Sequence, residues 1–176
     1  PAYAKRMTQK ITTPHPILVG LSFGGMVAME IAKQIPVKKV ILISSAKVRK
    51  ELPWFYRFSA KLKLQKILPY TLIKRTNGFT YWLFGATSAH EKALLKEIFR
   101  KTPTTFLKWA INAILTWKNT EISAHILHIH GDKDRILPYK NVKDTLCITG
   151  GGHSMIVNKA HEIVPLINKF LNNAND

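Results

Sequence analysis

The sequence has little cysteine, little acid and no long apolar run. Its one cysteine, Cys147, excludes an intrachain disulfide framework and a cysteine-rich zinc site. No window approaches the roughly 18 uncharged apolar residues of a membrane span. Internal repeats and low-complexity tracts are also missing, which removes repeat architectures. Asp and Glu number 10 against 27 Lys and Arg, for a formal net charge of +17. A reaction that needs a carboxylate can therefore be traced by elimination. The hydrophobic fraction is 46%, too high for a disordered basic tail. The length of 176 residues allows one ordinary domain. The chain opens on PAYAKRMTQK, which is neither a signal peptide nor a natural start. An upstream N-terminus and a cytoplasmic location are the expectations.

Charge and aromatics are unevenly spread. Residues 47–118 hold fifteen Lys or Arg against Glu51, Glu91 and Glu97, a net of +12. The same stretch holds 13 of the 17 aromatic residues. It reads as an insertion with its own surface. The expected division is 1–46, first part of a core; 47–120, a helical insertion; and 121–176, second part of the core.

Tyr3 to Ile11 reads as the end of a helix, broken by Thr12-Thr13-Pro14-His15-Pro16. Ile17-Leu18-Val19 is a short buried-strand signal ending at Gly20. Met26 to Gln34 reads as an amphipathic helix, with Val27, Ile31 and Ile35 at four-residue spacing and Pro36 as its stop. Val40 to Ile43 does not alternate, which suits a parallel strand covered on both faces. The middle reads mostly as helices, punctuated by Pro53, Pro69, Asn77-Gly78 and Pro103. Ile126 to His130 and Thr145 to Thr149 read as further strands, and a last helix runs from about Asn158 to Asn172. Strands alternating with helices predict a parallel α/β sheet with right-handed crossovers. In such sheets function gathers outside the carboxyl ends of the strands.

Three strand ends carry candidate chemistry. Gly20-Leu21-Ser22-Phe23-Gly24 is G-x-S-x-G between a strand and a helix. A sharp turn there holds a serine hydroxyl proud of the backbone, and the residues two before and two after must be small to approach each other. The bare pattern is weak; its flanks strengthen it. A serine nucleophile needs a base, and seven histidines are present: His15, His90, His125, His128, His130, His153 and His161. Only His153 follows a glycine run after the last strand, where a loop can bring an imidazole over a neighbouring strand end. The base needs an acid to set its tautomer. Asp134 lies just beyond the third strand; Asp132 is nearer the strand and better placed to cap the turn. Glu51 is the only acid after the second strand, the other possible place.

Gly20-Leu21-Ser22-Phe23-Gly24-Gly25-Met26, His130-Gly131-Asp132-Lys133-Asp134-Arg135-Ile136-Leu137-Pro138 and Gly151-Gly152-His153-Ser154-Met155 together resemble the α/β-hydrolase family. The resemblance implies Ser22 as nucleophile, Asp134 as acid and His153 as base. It implies that residues 47–118 form a helical lid over the active site, and that the backbone N–H of Phe23 is one oxyanion donor. It also implies several strands and a helix before the nucleophile strand, so the chain reads as N-terminally truncated. The second oxyanion donor would come from a loop in that missing part. The strand at Ile17 to Val19 is then expected to show an unpaired edge.

This gives a serine esterase or thioesterase that needs no cofactor and no metal. A serine at the elbow argues against haloalkane dehalogenases, which carry aspartate there. The basic insertion, including Lys61, Lys63 and Lys66, would attract an acidic acyl carrier protein or the phosphates of coenzyme A. The competing reading is a non-catalytic basic module for nucleic acid or an anionic membrane surface, supported by charge alone. His128-Ile129-His130-Gly131-Asp132 has the H-x-H-x-D spacing of some dinuclear zinc hydrolases, but Lys133 stands where a further histidine is needed. The expectation is that His128 packs in the sheet and His130 shapes the turn, while His15, His90, His125 and His161 lie at the surface or at element boundaries. The insertion's aromatics, Trp54, Phe55, Tyr56, Phe58, Phe79, Tyr81, Trp82, Phe84, Trp109 and Trp117, are expected to be buried, as a core or around an acyl pocket.

Overall fold

The computed structural model describes residues 1–63, 74–122 and 124–173; Lys66 and Pro69 lie outside them. Strands β1 (Ile17–Leu21), β2 (Lys39–Ile43), β3 (Ile126–Gly131) and β4 (Leu146–Ile148) form one parallel sheet in the order β1-β2-β3-β4. The register is set by Val19 opposite Ile41, Ile41 opposite Leu127, and Ile129 opposite Leu146. Helices α1 (Ala2–Thr8) and α2 (Phe23–Ala32) flank β1 in sequence, and α7 (Ala160–Asn172) closes the described chain. Between β2 and β3 lie α3 (Trp54–Lys61), α4 (Gly78–Phe84), α5 (Ala89–Lys101) and α6 (Thr104–Leu115).

The run Val40-Ile41-Leu42-Ile43 is buried throughout because β2 has strands on both sides and helices on both faces. Val40 and Leu42 pack with Met26, Met29, Trp117 and Leu137. Ile41 and Ile43 pack with Ile129, Ile148, Met155 and Ile163, joined by Leu166, Ile167 and Phe170 of α7. Each such side chain contributes roughly 1.5–3 kcal/mol relative to exposure. Lys39 opens the same strand and is only 1% exposed. Its Nζ donates to the carbonyls of Phe170 and Asn173, at 2.9 and 3.0 Å. These belong to the last turn and C-cap of α7, where carbonyls lack helical partners and the dipole favours a cation.

Helix α2 departs from the amphipathic expectation. Gly25, Met26, Ala28, Met29, Glu30 and Ile31 are all buried, because α1 and α6 pack on the side away from the sheet. At the other extreme, β1 ends the sheet among the described residues, and Ile17, Val19 and Leu21 stay exposed, Val19 to 62%.

The turn signals of the middle segment are its caps. The Asn77 side chain accepts from the Thr80 N–H at the start of α4, and Gly85 ends that helix in the left-handed region, at φ 73°. Ser88 and Glu91 form a reciprocal capping box on α5. The expected burial of the segment's aromatics does not hold. Trp117 is buried, but Trp54, Phe55, Phe58, Phe79, Trp82 and Trp109 are exposed. These short helices pack on one another and on α2 rather than on the strands, which leaves too little inner face to cover them all.

Candidate active site

Ser22 stands between β1 and α2 at φ 50°, ψ −120°, a conformation that L-residues rarely adopt. Three contacts hold it there. Its N–H donates to Ile43 O at 2.9 Å, and its carbonyl accepts from Gly25 N–H at 3.0 Å and from Ser45 Oγ at 2.7 Å. The turn closes so tightly that a Cβ on Gly20 would lie 2.5 Å from Gly25 Cα, and one on Gly25 would collide with Ser45. The Gly20 Cβ would also lie 2.6 Å from Gly24 C, so Gly20 closes on both glycines, although a Cβ added on Gly24 itself would meet nothing. Phe23 is the first residue of α2, so its N–H has no helical acceptor and faces outward with the positive end of the dipole.

His153 joins the elbow to the acid. Its Nε2 is 2.8 Å from Ser22 Oγ and its Nδ1 is 2.8 Å from Asp134 Oδ2. A carboxylate only accepts, so Nδ1 carries the proton and bare Nε2 accepts from the serine hydroxyl. The other oxygen of Asp134 accepts from the backbone N–H groups of Ile136 and Leu137, each at 2.9 Å. Burial raises the pKa of this carboxyl. Hydrogen bonds from His130, His153 and Leu137, with the attraction of His153, more than offset it, so the acid stays ionised well below the usual carboxylate range.

His130 is the partner of Asp134 that spacing alone did not disclose. Its Nε2 lies 2.7 Å from Leu137 O and 3.3 Å from Asp134 Oδ2. A carbonyl only accepts, so the proton sits on Nε2 and Nδ1 is free to accept from His128 Nε2 at 3.3 Å. Burial, then the neighbouring His130 and Lys47, push His128 down to about 3, so it is neutral. The clue in the sequence was a histidine four residues before the acid, across a tight turn.

Asp132 points elsewhere: its Oδ1 accepts from Gly150 N–H at 2.7 Å, capping the turn that precedes His153. Glu51 is buried and occupied, accepting from Lys47 N–H at 2.6 Å and Lys143 N–H at 3.3 Å and pairing with Lys47 Nζ at 3.7 Å. His15, His90, His125 and His161 are exposed. Among the described residues no group of three or more His, Cys, Asp or Glu could hold a metal. No helix among them is long and apolar enough to cross a membrane.

A serine, a histidine and an aspartate in line at the ends of parallel strands invite comparison with known proteins. Residues 3–166 match the alpha/beta hydrolase family. The chain belongs to the alpha/beta hydrolase family. No curated protein matches this sequence. Among solved structures, this hydrolase is similar to an esterase from Exiguobacterium antarcticum at 16% identity and a TM-score of 0.67, covering 97% of this chain and 72% of that one. It is similar to MenH from S. aureus at 17% identity and a TM-score of 0.66, covering 99% and 74%. It is also similar to the esterase RhEst1 from Rhodococcus sp. at 15% identity and a TM-score of 0.60, covering 92% and 66%. At these identities the likeness shows the fold.

One cavity of this α/β-hydrolase chain, about 770 Å³, lies between α1, α2 and α6. Tyr3, Met26, Glu30, Trp109 and Trp117 line it, and it touches the elbow through Phe23. Ser22 and His153 are not in its wall.

Proposed function

We propose that this chain is a serine hydrolase that cleaves a carboxylic ester or thioester through an acyl-enzyme. The observation that carries the reading is the unbroken line from Ser22 Oγ to His153 Nε2 and from His153 Nδ1 to Asp134, with both links 2.8 Å long. Ser22 Oγ attacks the carbonyl carbon as His153 Nε2 takes its proton. The Phe23 N–H faces the oxyanion. The tetrahedral intermediate then expels the alcohol or thiol, which leaves with the proton from His153. Water repeats the attack on the acyl-serine, with His153 as base, and releases the acid and the free serine. Asp134 keeps the imidazole in the tautomer that leaves Nε2 bare. Neither half-reaction calls for a cofactor or a metal.

Residues 47–120 are read as a lid inserted between β2 and β3. Their net charge of +12, in a chain of +17, favours substrates with an anionic carrier, such as an acyl carrier protein or coenzyme A thioester. The test is hydrolysis of p-nitrophenyl butyrate. Turnover should vanish in Ser22→Ala and in His153→Ala, and the double variant should be no worse than either. Retained turnover in Ser22→Ala removes the assignment. Retention of DNA or anionic vesicles with no turnover would favour a basic binding module instead.

A further inference from the structure

The loop that carries His153 runs through a slot one backbone thick. On one side is Gly131, the end of β3, where an added Cβ would collide with the Gly151 carbonyl. On the other side is Gly85, the C-cap of α4, where an added Cβ would lie 3.0 Å from Gly152 Cα. Glycine stands at 151 and 152 because backbone meets backbone on both sides. The first wall belongs to the sheet. The second belongs to the segment inserted between β2 and β3.

That second wall grips the loop further. Phe84 O accepts from Ser154 N–H at 3.0 Å. The Phe84 ring meets the His153 imidazole edge-on, with centroids 5.6 Å apart and planes at 81°. Phe99 of α5 backs the Phe84 ring in a T-shaped contact at 5.5 Å. Beyond the histidine, Asn158 Nδ2 donates to Glu91 Oε1 at 2.6 Å, fastening the loop to the start of α5. Arg135, next to the acid, donates to Trp82 O at 2.7 Å, so one turn of α4 touches both loops.

We propose that the Phe84–Gly85 turn positions His153, so that the inserted helices set the base as well as covering the site. This rests on the reading of His153 as the general base. Asp134 fixes the imidazole only at Nδ1. The ring can still tilt about that bond, and the Phe84 ring and the Ser154 backbone bond remove this freedom. Lifting α4 from the loop then releases the base from Ser22, and the chain is competent only with this turn seated. A displacement near 1 Å in such a group costs about 10²-fold in rate.

The test uses the whole 176-residue chain and two readouts. One is the rate of labelling at Ser22 by a fluorophosphonate. The other is the NMR resonance of the His153 Nδ1 proton. Gly85→Ala should slow labelling by about 10²-fold and Phe84→Leu by about tenfold, and both should shift or broaden the resonance. Gly78→Ala, at the other end of α4, where an added Cβ meets nothing within 4 Å, should change neither readout. If Gly85→Ala fails to fold, Phe84→Leu decides. Labelling at the parental rate with an unmoved resonance in Phe84→Leu overturns the proposal. If the parent chain itself is not labelled at Ser22, the hydrolase reading falls, and the resonance alone decides. Movement in Phe84→Leu but not in Gly78→Ala then supports the positioning role, and no movement overturns it.

Discussion

β2 and α3 lie close in sequence and opposite in environment. Every residue of β2 is buried, its lysine included, while α3 carries four aromatics, Trp54, Phe55, Tyr56 and Phe58, and buries no residue at all. Apolar content does not separate them; position in the topology does. β2 has a strand on either side and a packed layer on either face. α3 rests on α6, and its Tyr56 hydroxyl donates to Ile136 O at 3.1 Å. Burial, then the charge of Asp134, push that hydroxyl up to about 12, so it stays protonated and donating. The sheet thus supplies rigidity to the strand ends, and the inserted helices offer a half-clad surface of aromatics and cations.

The largest effects should fall where the sheet holds the reacting groups. Asp134→Asn should lower kcat by about 10⁴, because an amide no longer enforces the Nδ1–H tautomer. Asp132→Asn should cost far less, since that side chain caps the Gly150 turn. Ester kinetics on the two variants check this, and the reverse order would mean that the acid is misassigned.

The next effect contrasts the two regions in stability. Leu42→Ala in β2 should destabilise by about 2–5 kcal/mol, because neighbours on every side cannot close the cavity. Phe58→Ala in α3, more than half exposed, should stay within about 0.5 kcal/mol. Urea titrations of both would erase the contrast if the losses were equal.

A smaller effect follows from the buried histidine of β3. His128 is held neutral, its pKa pushed down to about 3 from an ordinary 6.5. The unfolded chain therefore gains a proton below pH 6.5 that the folded chain refuses until near pH 3. Its contribution is intact above pH 6.5 and is lost as pH falls, by about 1.4 kcal/mol per pH unit for one proton. Asp134, also depressed, acts in the same direction at lower pH. His128→Gln should flatten the fall in urea midpoint between pH 6.5 and 4. An unchanged slope would place the acid sensitivity elsewhere.

The smallest effects belong to the helical surface. Reversing the charge at Lys61 and Lys63, both exposed, should weaken a carrier-protein thioester more than a small neutral ester. The difference should fade with salt, because exposed charges are screened within about 10 Å at 0.1 M. Equal loss on both substrates would assign these lysines to the fold.

The strands and the three loops were legible because they depend on local signals. Short apolar, largely β-branched runs marked β1 to β4, three of them ending in glycine-containing turns, and their order brought Ser22, Asp134 and His153 to one edge of the sheet. Three features were not legible, each for want of long-range information. The burial of α2 on several sides needs α1 and α6, which its own periodicity does not record. The exposure of Trp54 and Phe79 reflects how little of each helix meets the sheet. The closure of Gly20 on Gly25 as well as on Gly24 follows from a backbone path that a five-residue pattern does not specify. His130 fell between: its residue type was noted, but its bond to Asp134 depends on the turn through Leu137.

The central claim is that Ser22 is a nucleophile made ready by His153. Incubating the chain with a fluorophosphonate and mapping the adduct by peptide mass spectrometry tests it most directly. The account predicts one phosphonyl group, on Ser22, absent in Ser22→Ala and greatly slowed in His153→Ala. An unlabelled chain, or label on Ser44, Ser45 or Ser154 with Ser22 untouched, would contradict it.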